Sequence, residues 1–447
     1  MGKSGKAYSS LFPSYEGRQA FPMRVALDDL IIQKRQGFSD RKRRYLAMAK
    51  TKKRPTKKLQ SLIRSFFLVD TKYCQRRKIE SENKCMPKST FSRNQFADFY
   101  RGKKVFITGH TGFKGTWLCQ VLLDFGAEVY GYALEPPTDP SLFAITKMKD
   151  HMRSYIGDVR DLDYLTKVTQ EVKPDIILHL AAQPIVRTSY QDPVGTYASN
   201  VMGTVNILEQ VRKCDSVRSF LNVTTDKVYE NREWAWGYRE NEPLDGYDPY
   251  SNSKSCSELV THSYRKSFFM KEDGSYTVPI STARAGNVIG GGDFAKDRIV
   301  PDCVRAMEKK EPIVVRNPYS TRPYQHVLEP LSCYLMIAAA QWDTPSLADA
   351  YNVGPDDCDC VTTGELVDLF CKYYGGNAHW ENHAEQNAPH EANFLKLDCS
   401  KLKSTFNWKP KWHIQEAIEK VCEWSQAYIE DGDCNSVMEQ QIKEFFE

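Results

Sequence analysis

The sequence predicts a doubly wound, mostly parallel α/β sheet, and three observations carry that expectation. From Arg101 onward, short β-branched and aromatic runs alternate with stretches of helical apolar period. A glycine-rich turn, Gly109-His110-Thr111-Gly112-Phe113-Lys114-Gly115, joins the first such run to the first such helix. Tyr250 and Lys254 stand four apart, so they share a face of a predicted helix.

Strands are expected at 104–108, 128–132, 154–157, 175–181, 217–224, 279–284 and 349–353, with helices near 114–125, 161–172, 195–213 and 249–270 separating most of them. Val105-Phe106-Ile107-Thr108 reads as a buried strand, and Leu118, Val121, Leu122 and Phe125 line one face of the helix after the glycine turn. Asp161 suits a helix N-cap, with Leu162, Leu165 and Val168 on one face. Such alternation implies right-handed crossovers and helices on both sheet faces. Ligands then bind beyond the carboxyl ends of the strands, where 109–115, Asp158, 181–183 and 224–227 fall.

After about residue 285 the pattern loosens. Gly290-Gly291-Gly292 makes a flexible turn, and Pro301, Pro312, Pro318, Pro323 and Pro330 punctuate the chain beyond it. Helical patterns return at 328–342, 363–374 and 414–431. The expected organisation is a basic extension over 1–95, a dinucleotide-binding domain over 96–285 and a smaller mixed α/β substrate-binding domain over 286–447. One strand, near 349–353, is expected to return to the first domain.

Charge is unevenly spread. Residues 1–90 hold 23 Lys+Arg against 7 Asp+Glu, whereas 91–447 hold 38 against 50. The run at 41–58 could address nucleic acid, but a solvated, largely disordered arm is the plainer expectation. Leu59, Leu62, Ile63, Phe66 and Phe67 allow one short amphipathic helix in it. No run of 18 apolar residues exists, so no membrane span is expected, and the first 20 residues lack the apolar stretch of a secretory signal. Lys6 stands where a myristoylation signal wants Ser or Thr. The 13 cysteines are scattered with no zinc spacing, which points to reduced thiols, a cytoplasmic setting and no metal.

A few groups carry the chemistry. A glycine-rich turn lets backbone N–H groups reach a pyrophosphate at a helix N-terminus, which makes Gly109, Thr111, Gly112, Phe113 and Gly115 candidate cofactor contacts. Glu135, 20 residues past Gly115, stands where a carboxylate meets the adenosine ribose, which disfavours a 2′-phosphate; an exposed loop glutamate is an equal reading. Asp158 could accept from an adenine amino group, beside Val159, and Ala181 and Ala182 come after another strand end. A tyrosine beside a lysine ammonium ionises more easily and can act as a base.

Together these stretches resemble the extended short-chain dehydrogenase/reductase family, over about residues 100–430. Its TGxxGxxG turn is matched by Thr108-Gly109, Gly112 and Gly115, its GDxxD by Gly157-Asp158 and Asp161, and its HLAA by 179–182. The resemblance implies a Rossmann-type fold, bound NAD, and a homodimer through helices like 195–213 and 249–270. It also implies that Tyr250 is the base, that Lys254 holds the nicotinamide ribose and lowers the tyrosine pKa, and that Thr225 positions a sugar hydroxyl. Thr225-Asp226-Lys227-Val228-Tyr229 is similar to the acid-bearing stretch of nucleotide-sugar 4,6-dehydratases. Asp-Lys in place of the usual Asp-Glu resembles the CDP-glucose group, as do 134–143, 181–190, 283–293, 321–331 and 392–401.

The reaction so implied oxidises C4 of a nucleotide-linked hexose, which makes H5 acidic, eliminates water across C5–C6 and returns the hydride to C6. Asp226 is the acid, which requires a raised pKa. Lys227 is either the C5 base or a charged stabiliser of the enolate oxygen; a salt bridge to Asp226 is the bland alternative. Among substrate contacts, Asn287 matches a family asparagine, and Arg322 suits a diphosphate better than Arg298 and Arg316, read as surface charges. Gln183 and Arg187 lie near the sugar beyond a strand end. Trp234 and Trp236 are expected to pack in a lid or core, and His326 and Asn200 to be structural. The rival readings are a 4-epimerase, a dehydratase of another nucleotide hexose, and an inactive NAD-binding scaffold whose basic arm holds nucleic acid.

Overall fold

The computed structural model describes residues 91–384 and 394–447. The basic run 41–58 and the apolar stretch 59–67 lie outside them. Seven strands form the central sheet: β1 Lys104–Thr108, β2 Glu128–Ala133, β3 Arg153–Ile156, β4 Ile176–His179, β5 Ser219–Thr225, β6 Ile280–Ala285 and β10 Ala350–Val353. They lie in the order β10-β6-β5-β4-β1-β2-β3. All neighbours pair in parallel. The strands are those expected, each within two residues at either end. The chain order reverses between β1 and β4, so a crevice opens at their carboxyl ends.

Helices cover both faces because the strands are apolar on both. One face takes α1 Arg93–Tyr100, α2 Phe113–Asp124 and α10 Leu328–Asp343. The other takes α4 Leu162–Val172, α7 Gly203–Lys213 and α8 Pro249–Tyr264, with the short α3 Leu142–Ile145, α5 Val186–Gln191 and α6 Pro193–Tyr197 in the connections. Asp161 caps α4 by accepting from Tyr164 N, as its position foretold. The single helix expected over 195–213 is instead α6 and α7 joined by a π-helical turn at Ala198–Met202. That extra residue per turn lets Asn200 point inward, where Nδ2 donates to Gln183 O at 3.0 Å and to Ser253 Oγ at 2.9 Å. A second π-helical turn, Arg265–Phe269, ends α8.

Two segments depart from the expected organisation. The boundary at residue 95 falls inside α1, which a Ser92/Gln95 capping box starts. Phe96 and Tyr100 of α1 are buried, and Tyr100 OH donates to Leu335 O at 2.7 Å. Not only β10 but also α10 belongs to the sheet: Gln341 Nε2 donates to Phe220 O at 2.9 Å, and Ser219 Oγ to Ala338 O at 2.9 Å.

The smaller lobe holds β7 Asn287–Ile289, β9 Thr321–His326 and β11 Cys360–Thr362 in one sheet, and β8 Ile313–Val315 with β12 Trp380–Asn382 in another. Helices α9 Ile299–Lys309, α11 Thr363–Tyr374 and α13 Ile414–Ile429 close its core, while α12 Ser400–Phe406 and α14 Cys434–Phe446 pack on the α10 side. Most of these elements gave no sequence signal. Three-residue strands are too short for a period, and Pro301 and Pro330, read as turn punctuation, sit in the first turns of α9 and α10, where no N–H is needed. The lobes are tied by Trp117 of α2, fully buried, whose Nε1 donates to Gly291 O at 3.0 Å. Truncating such a side chain costs about 3–5 kcal/mol.

Candidate active site

The glycine turn fits tightly into the crevice. Gly109 has φ +81°, and a Cβ there would lie 2.8 Å from Ala181 N; a Cβ on Gly115 would lie 2.1 Å from Gly109 O. Gly112 caps α2 with no side chain, and no acidic residue occupies the first turn. The first N–H groups of α2 therefore face the crevice with no side-chain acceptor. Thr111 Oγ1 donates to Leu134 O at 2.9 Å, and Thr108 Oγ1 accepts from Leu180 N and Ala181 N at 3.2 Å. Phe113 packs near Gly290. This cradle fits a dinucleotide pyrophosphate: the donors, the dipole and the close approach are all present.

The adenosine end differs from expectation. Glu135 is exposed just past β2. Both oxygens of Asp158 are taken by Arg160: its N donates to Oδ1 at 2.9 Å and its Nε to Oδ2 at 2.8 Å. That guanidinium holds the Asp158 carboxyl below its usual range and ties it into a strand-end turn, with the side chain still 24% exposed. Val159 is buried; its Cγ2 would lie 2.7 Å from a Cβ on Gly203 of α7. Ala181 and Ala182 line the switch point, partly exposed.

The opposite wall is the carboxyl end of β5 with α8. Asp226 is 2% exposed; Thr225 Oγ1 donates to its Oδ1 at 2.9 Å, and its Oδ2 has no hydrogen-bond partner. Burial raises its pKa, while Lys227, the Thr225 hydroxyl and Arg322 oppose the rise. Lys227 is half-buried, and no ion pair joins it to Asp226. Tyr250, next along the wall, is pushed up to about 12 by burial; the Thr225 hydroxyl lowers it, Asp226 raises it and Arg298 lowers it. Lys254 is 4% exposed, and its Nζ donates to Val223 O at 3.1 Å. Burial brings that ammonium down to about 7; Lys114 lowers it too, and Glu258 opposes. The Lys254 ammonium leans to the β5 carbonyl, and among the groups that act on the Tyr250 phenol Arg298 is a cation that lowers it.

Three features of the wall escaped the sequence. Glu258, one turn past Lys254 on α8, is buried and accepts from Thr224 Oγ1 at 2.5 Å, Thr282 Oγ1 at 2.8 Å and Arg284 Nη2 at 2.9 Å. Arg284 in turn donates to Tyr229 OH at 2.8 Å. The i, i+4 spacing from Lys254 was the available signal. Arg298, read as a surface charge, keeps 38% of its side chain exposed, and it also pairs with Asp293 at 3.0 Å and lowers the Tyr250 pKa. Lys114, inside the glycine motif, acts electrostatically on Asp226 and Lys254.

The substrate candidates divide. Arg322 is buried on β9, in the field of Asp226, with Nη1 donating to Thr321 O at 3.0 Å. Asn287 opens β7, paired with Tyr324 two residues beyond Arg322. The Gln183 amide is consumed by its own loop, Nε2 donating to Thr196 Oγ1 at 2.9 Å and Oε1 accepting from Ile185 N at 2.6 Å. Arg187 lies farther out, half-exposed and 4.0 Å from Asp297. His326 sits between Trp117 and Trp412, and burial lowers it to about 3, so it is a neutral packing group. The Trp234 and Trp236 rings lie 5.0 Å apart, tilted by 34°, with Trp236 largely exposed. Cys358, Asp359 and His413 come within 4.8 Å of one another, a grouping hidden by the sequence gap to His413. Asp359 spends both oxygens there, on His413 Nδ1 at 2.8 Å and Ile414 N at 3.1 Å.

Known proteins bear on this arrangement. The chain is 48% identical over 350 residues to the CDP-glucose 4,6-dehydratase of Salmonella typhimurium, covering 78% of this chain and 97% of that one. Among solved structures, the dTDP-glucose 4,6-dehydratase of Bacillus anthracis, in complex with NAD, superposes with a TM-score of 0.62 at 20% identity, covering 74% of this chain and 99% of that one. A UDP-glucose 4-epimerase from Stenotrophomonas maltophila gives 0.63 at 18%, covering 74% and 100%. These two show the fold. Residues 106–421 match the GDP-mannose 4,6 dehydratase family. The chain belongs to that nucleotide-sugar 4,6-dehydratase family, within the extended short-chain dehydrogenase/reductases.

Proposed function

We propose that the chain converts CDP-glucose to CDP-4-keto-6-deoxyglucose, with NAD as its resident cofactor. One observation carries this reading: a buried carboxyl with an unpartnered oxygen, Asp226, stands between a phenol, Tyr250, and a lysine, Lys227, at the mouth of a glycine cradle. The 48% identity to a CDP-glucose 4,6-dehydratase supports the substrate. An epimerase has no use for an acid at C6.

Gly109, Thr111, Gly112, Phe113 and Gly115 would hold the pyrophosphate, and Tyr250 and Lys254 the nicotinamide ribose. When bound, NAD⁺ takes the C4 hydride and later gives it to C6. Thr225 and Tyr250 hold O4 between them, and Tyr250 takes its proton. Burial works against that step, and the Thr225 hydroxyl and the Arg298 guanidinium favour it. With C4 a ketone, Lys227 removes H5 or steadies the enolate oxygen. Asp226, whose carboxyl burial pushes toward its protonated form, hands its proton to the departing C6 hydroxyl. Arg322 and Asn287 face the diphosphate side.

Assembly and setting complete the reading. Val194 and Met202 on the α6–α7 segment, and Leu259 and Phe268 on or beyond α8, are 51–79% exposed, which supports a homodimer through these helices. All eleven described cysteines are free thiols, and no described helix is long and apolar enough to cross a membrane. A reducing, cytoplasmic setting accords with the thiols.

The test is to offer CDP-, UDP-, dTDP- and GDP-glucose and monitor the alkaline absorbance of a 4-ketosugar. The expected outcome is turnover of the CDP sugar. In Lys227→Met, C4 oxidation continues and elimination stops if lysine is the base. Turnover of another nucleotide sugar in preference to CDP-glucose sinks the assignment.

A further inference from the structure

Two rows of side chains run side by side along α8. Tyr250 and Lys254 form one, and Ser251 and Ser255, each one residue later, form the other. The first row belongs to the crevice. The second meets the 3₁₀ turn Asp226–Val228, which carries Asp226 and Lys227 past the end of β5. Ser255 is 2% exposed, and its hydroxyl donates to Val228 O at 2.7 Å. A helical serine ordinarily bonds the carbonyl four residues back. Here that carbonyl, Ser251 O, lies farther away at 3.1 Å, so the shorter bond goes to the turn. The same oxygen accepts from Gly246 N at 3.0 Å. Gly246 is pressed flat on the helix: a Cβ there would lie 2.3 Å from Ser251 C.

One hydroxyl thus joins three segments: the helix with Tyr250 and Lys254, the turn with Asp226 and Lys227, and the loop that leads into the helix. The turn is anchored by other means at its two ends. Before it, Thr225 belongs to β5. After it, Tyr229 OH accepts from Arg284 Nη1 at 2.8 Å and donates to Asn352 Oδ1 at 2.5 Å. The Ser255 bond ties the turn itself to α8. The proposed reaction depends on that spacing. Tyr250 acts at C4 from α8, whereas Asp226 and Lys227 act at C5 and C6 of the same sugar from the turn. Without the hydroxyl, Val228 O and Gly246 N lose a buried partner. A turn displaced by about 1 Å slows elimination by up to about a hundredfold. Oxidation at C4 uses Thr225 and α8, which keep their places.

We infer that Ser255 is a positioning residue for the elimination step: its hydroxyl sets the turn that carries Asp226 and Lys227 at a fixed distance from the helix that carries Tyr250 and Lys254. This deepens the proposed function and rests on it.

The experiment mixes full-length protein, saturated with NAD⁺, with less than one equivalent of CDP-glucose. The near-ultraviolet absorbance of reduced nicotinamide rises with C4 oxidation and decays when the hydride returns after elimination. Mass spectrometry of quenched samples counts the sugar that has lost water. In Ser255→Ala the rise stays within a few-fold of wild type, reduced nicotinamide accumulates, and loss of water slows by about ten- to a hundredfold. NAD⁺ affinity, by calorimetry, stays within a few-fold. Rise and decay slowed together make the serine a general brace and overturn the inference, as does an unchanged rate of water loss. If the Ala variant does not fold, Ser255→Cys, which keeps the shape and weakens the donor, is read by the same criteria. Wild-type protein that dehydrates no CDP-glucose overturns the proposed function itself, a result distinct from an active wild type and a variant whose two phases move together.

Discussion

On one side of the crevice, residues 109–115 keep their shape by backbone contact alone: Gly115 has no room for a methyl group, and Gly109 sits at φ +81°. On the other side, 223–258 is shaped by buried ionisable groups, with Asp226, Lys254 and Glu258 each under 5% exposed. Apart from Lys114 the cradle is steric, so its function depends mostly on which atoms are missing. The wall is electrostatic, so its function depends on which protons are present. A substitution in the cradle should alter cofactor binding; one in the wall should alter turnover with binding spared.

Tyr250→Phe should produce the largest effect. The ring remains, and the proton acceptor for O4 is lost, so turnover of CDP-glucose should fall by about a thousandfold or more. NAD⁺ affinity should fall only several-fold, the size of one lost ribose hydrogen bond, and the thermal midpoint should hold. A variant retaining a tenth of wild-type turnover would remove Tyr250 from the chemistry.

Next in size is a paired test of the cradle. In Gly115→Ala the new methyl meets Gly109 O at 2.1 Å and His110 Cα at 2.7 Å, both backbone. The turn must move, and cofactor affinity should drop by roughly a hundredfold, with loss of stability of about 1–3 kcal/mol. Gly112→Ala places its methyl 3.5 Å from Gly109 O at an ordinary negative φ. It should bind NAD⁺ within a few-fold of wild type, measured by calorimetry. Equal losses in the two would show that the turn is not set by close approach.

The unequal legibility of the two sides has the same origin. A glycine that nothing else can replace leaves its mark at a fixed spacing, so 109–115 and the strand before it could be placed from the sequence. Tyr250 and Lys254 were found because a helix puts residues four apart together. The pKa directions of Tyr250 and Lys254 were not legible, because burial in the folded crevice sets them, with Arg298 opposing it at Tyr250 and Lys114 reinforcing it at Lys254. The local partners of Asp158 and Gln183 were not legible for a similar reason. Their partners, Arg160 and Thr196, are close in the chain, but only the folded loops turn them inward. In the smaller lobe helices α11 and α13 were legible by their period, but the strands were hidden, since β7, β8 and β11 have three residues each.

The brace behind the wall gives a stability test. Glu258→Gln leaves Arg284, 4% exposed, without its carboxylate, and breaking one side of such a pair costs about 3–5 kcal/mol by urea unfolding. Burial raises the Glu258 pKa, but Arg284, Thr224 and Thr282 outweigh it and the net shift is downward. The stabilisation is therefore complete above the ordinary glutamate range and is lost as pH falls through the lower folded value. The variant and wild type should converge in stability toward acid pH. A gap that widens there would mean that burial, not Arg284, sets the charge of Glu258.

The smallest effect concerns a histidine far from both sides, and it carries the opposite sign. His413 precedes α13 and bonds Asp359 through Nδ1 at 2.8 Å; that hydrogen bond and the carboxylate charge raise its pKa. A raised histidine stabilises the fold fully below its ordinary value, near 6.5, and ceases to as pH climbs through the folded one. The side chain is 52% exposed, so solvent screening holds the gain below about 1 kcal/mol. His413→Ala should lower the thermal midpoint by a degree or two at pH 6, with a smaller deficit at pH 9. Turnover should be unchanged, since the residue touches neither cradle nor wall. A deficit that grows toward pH 9 would show that the imidazole acts as a neutral cap for α13 and not as a partner of the Asp359 charge.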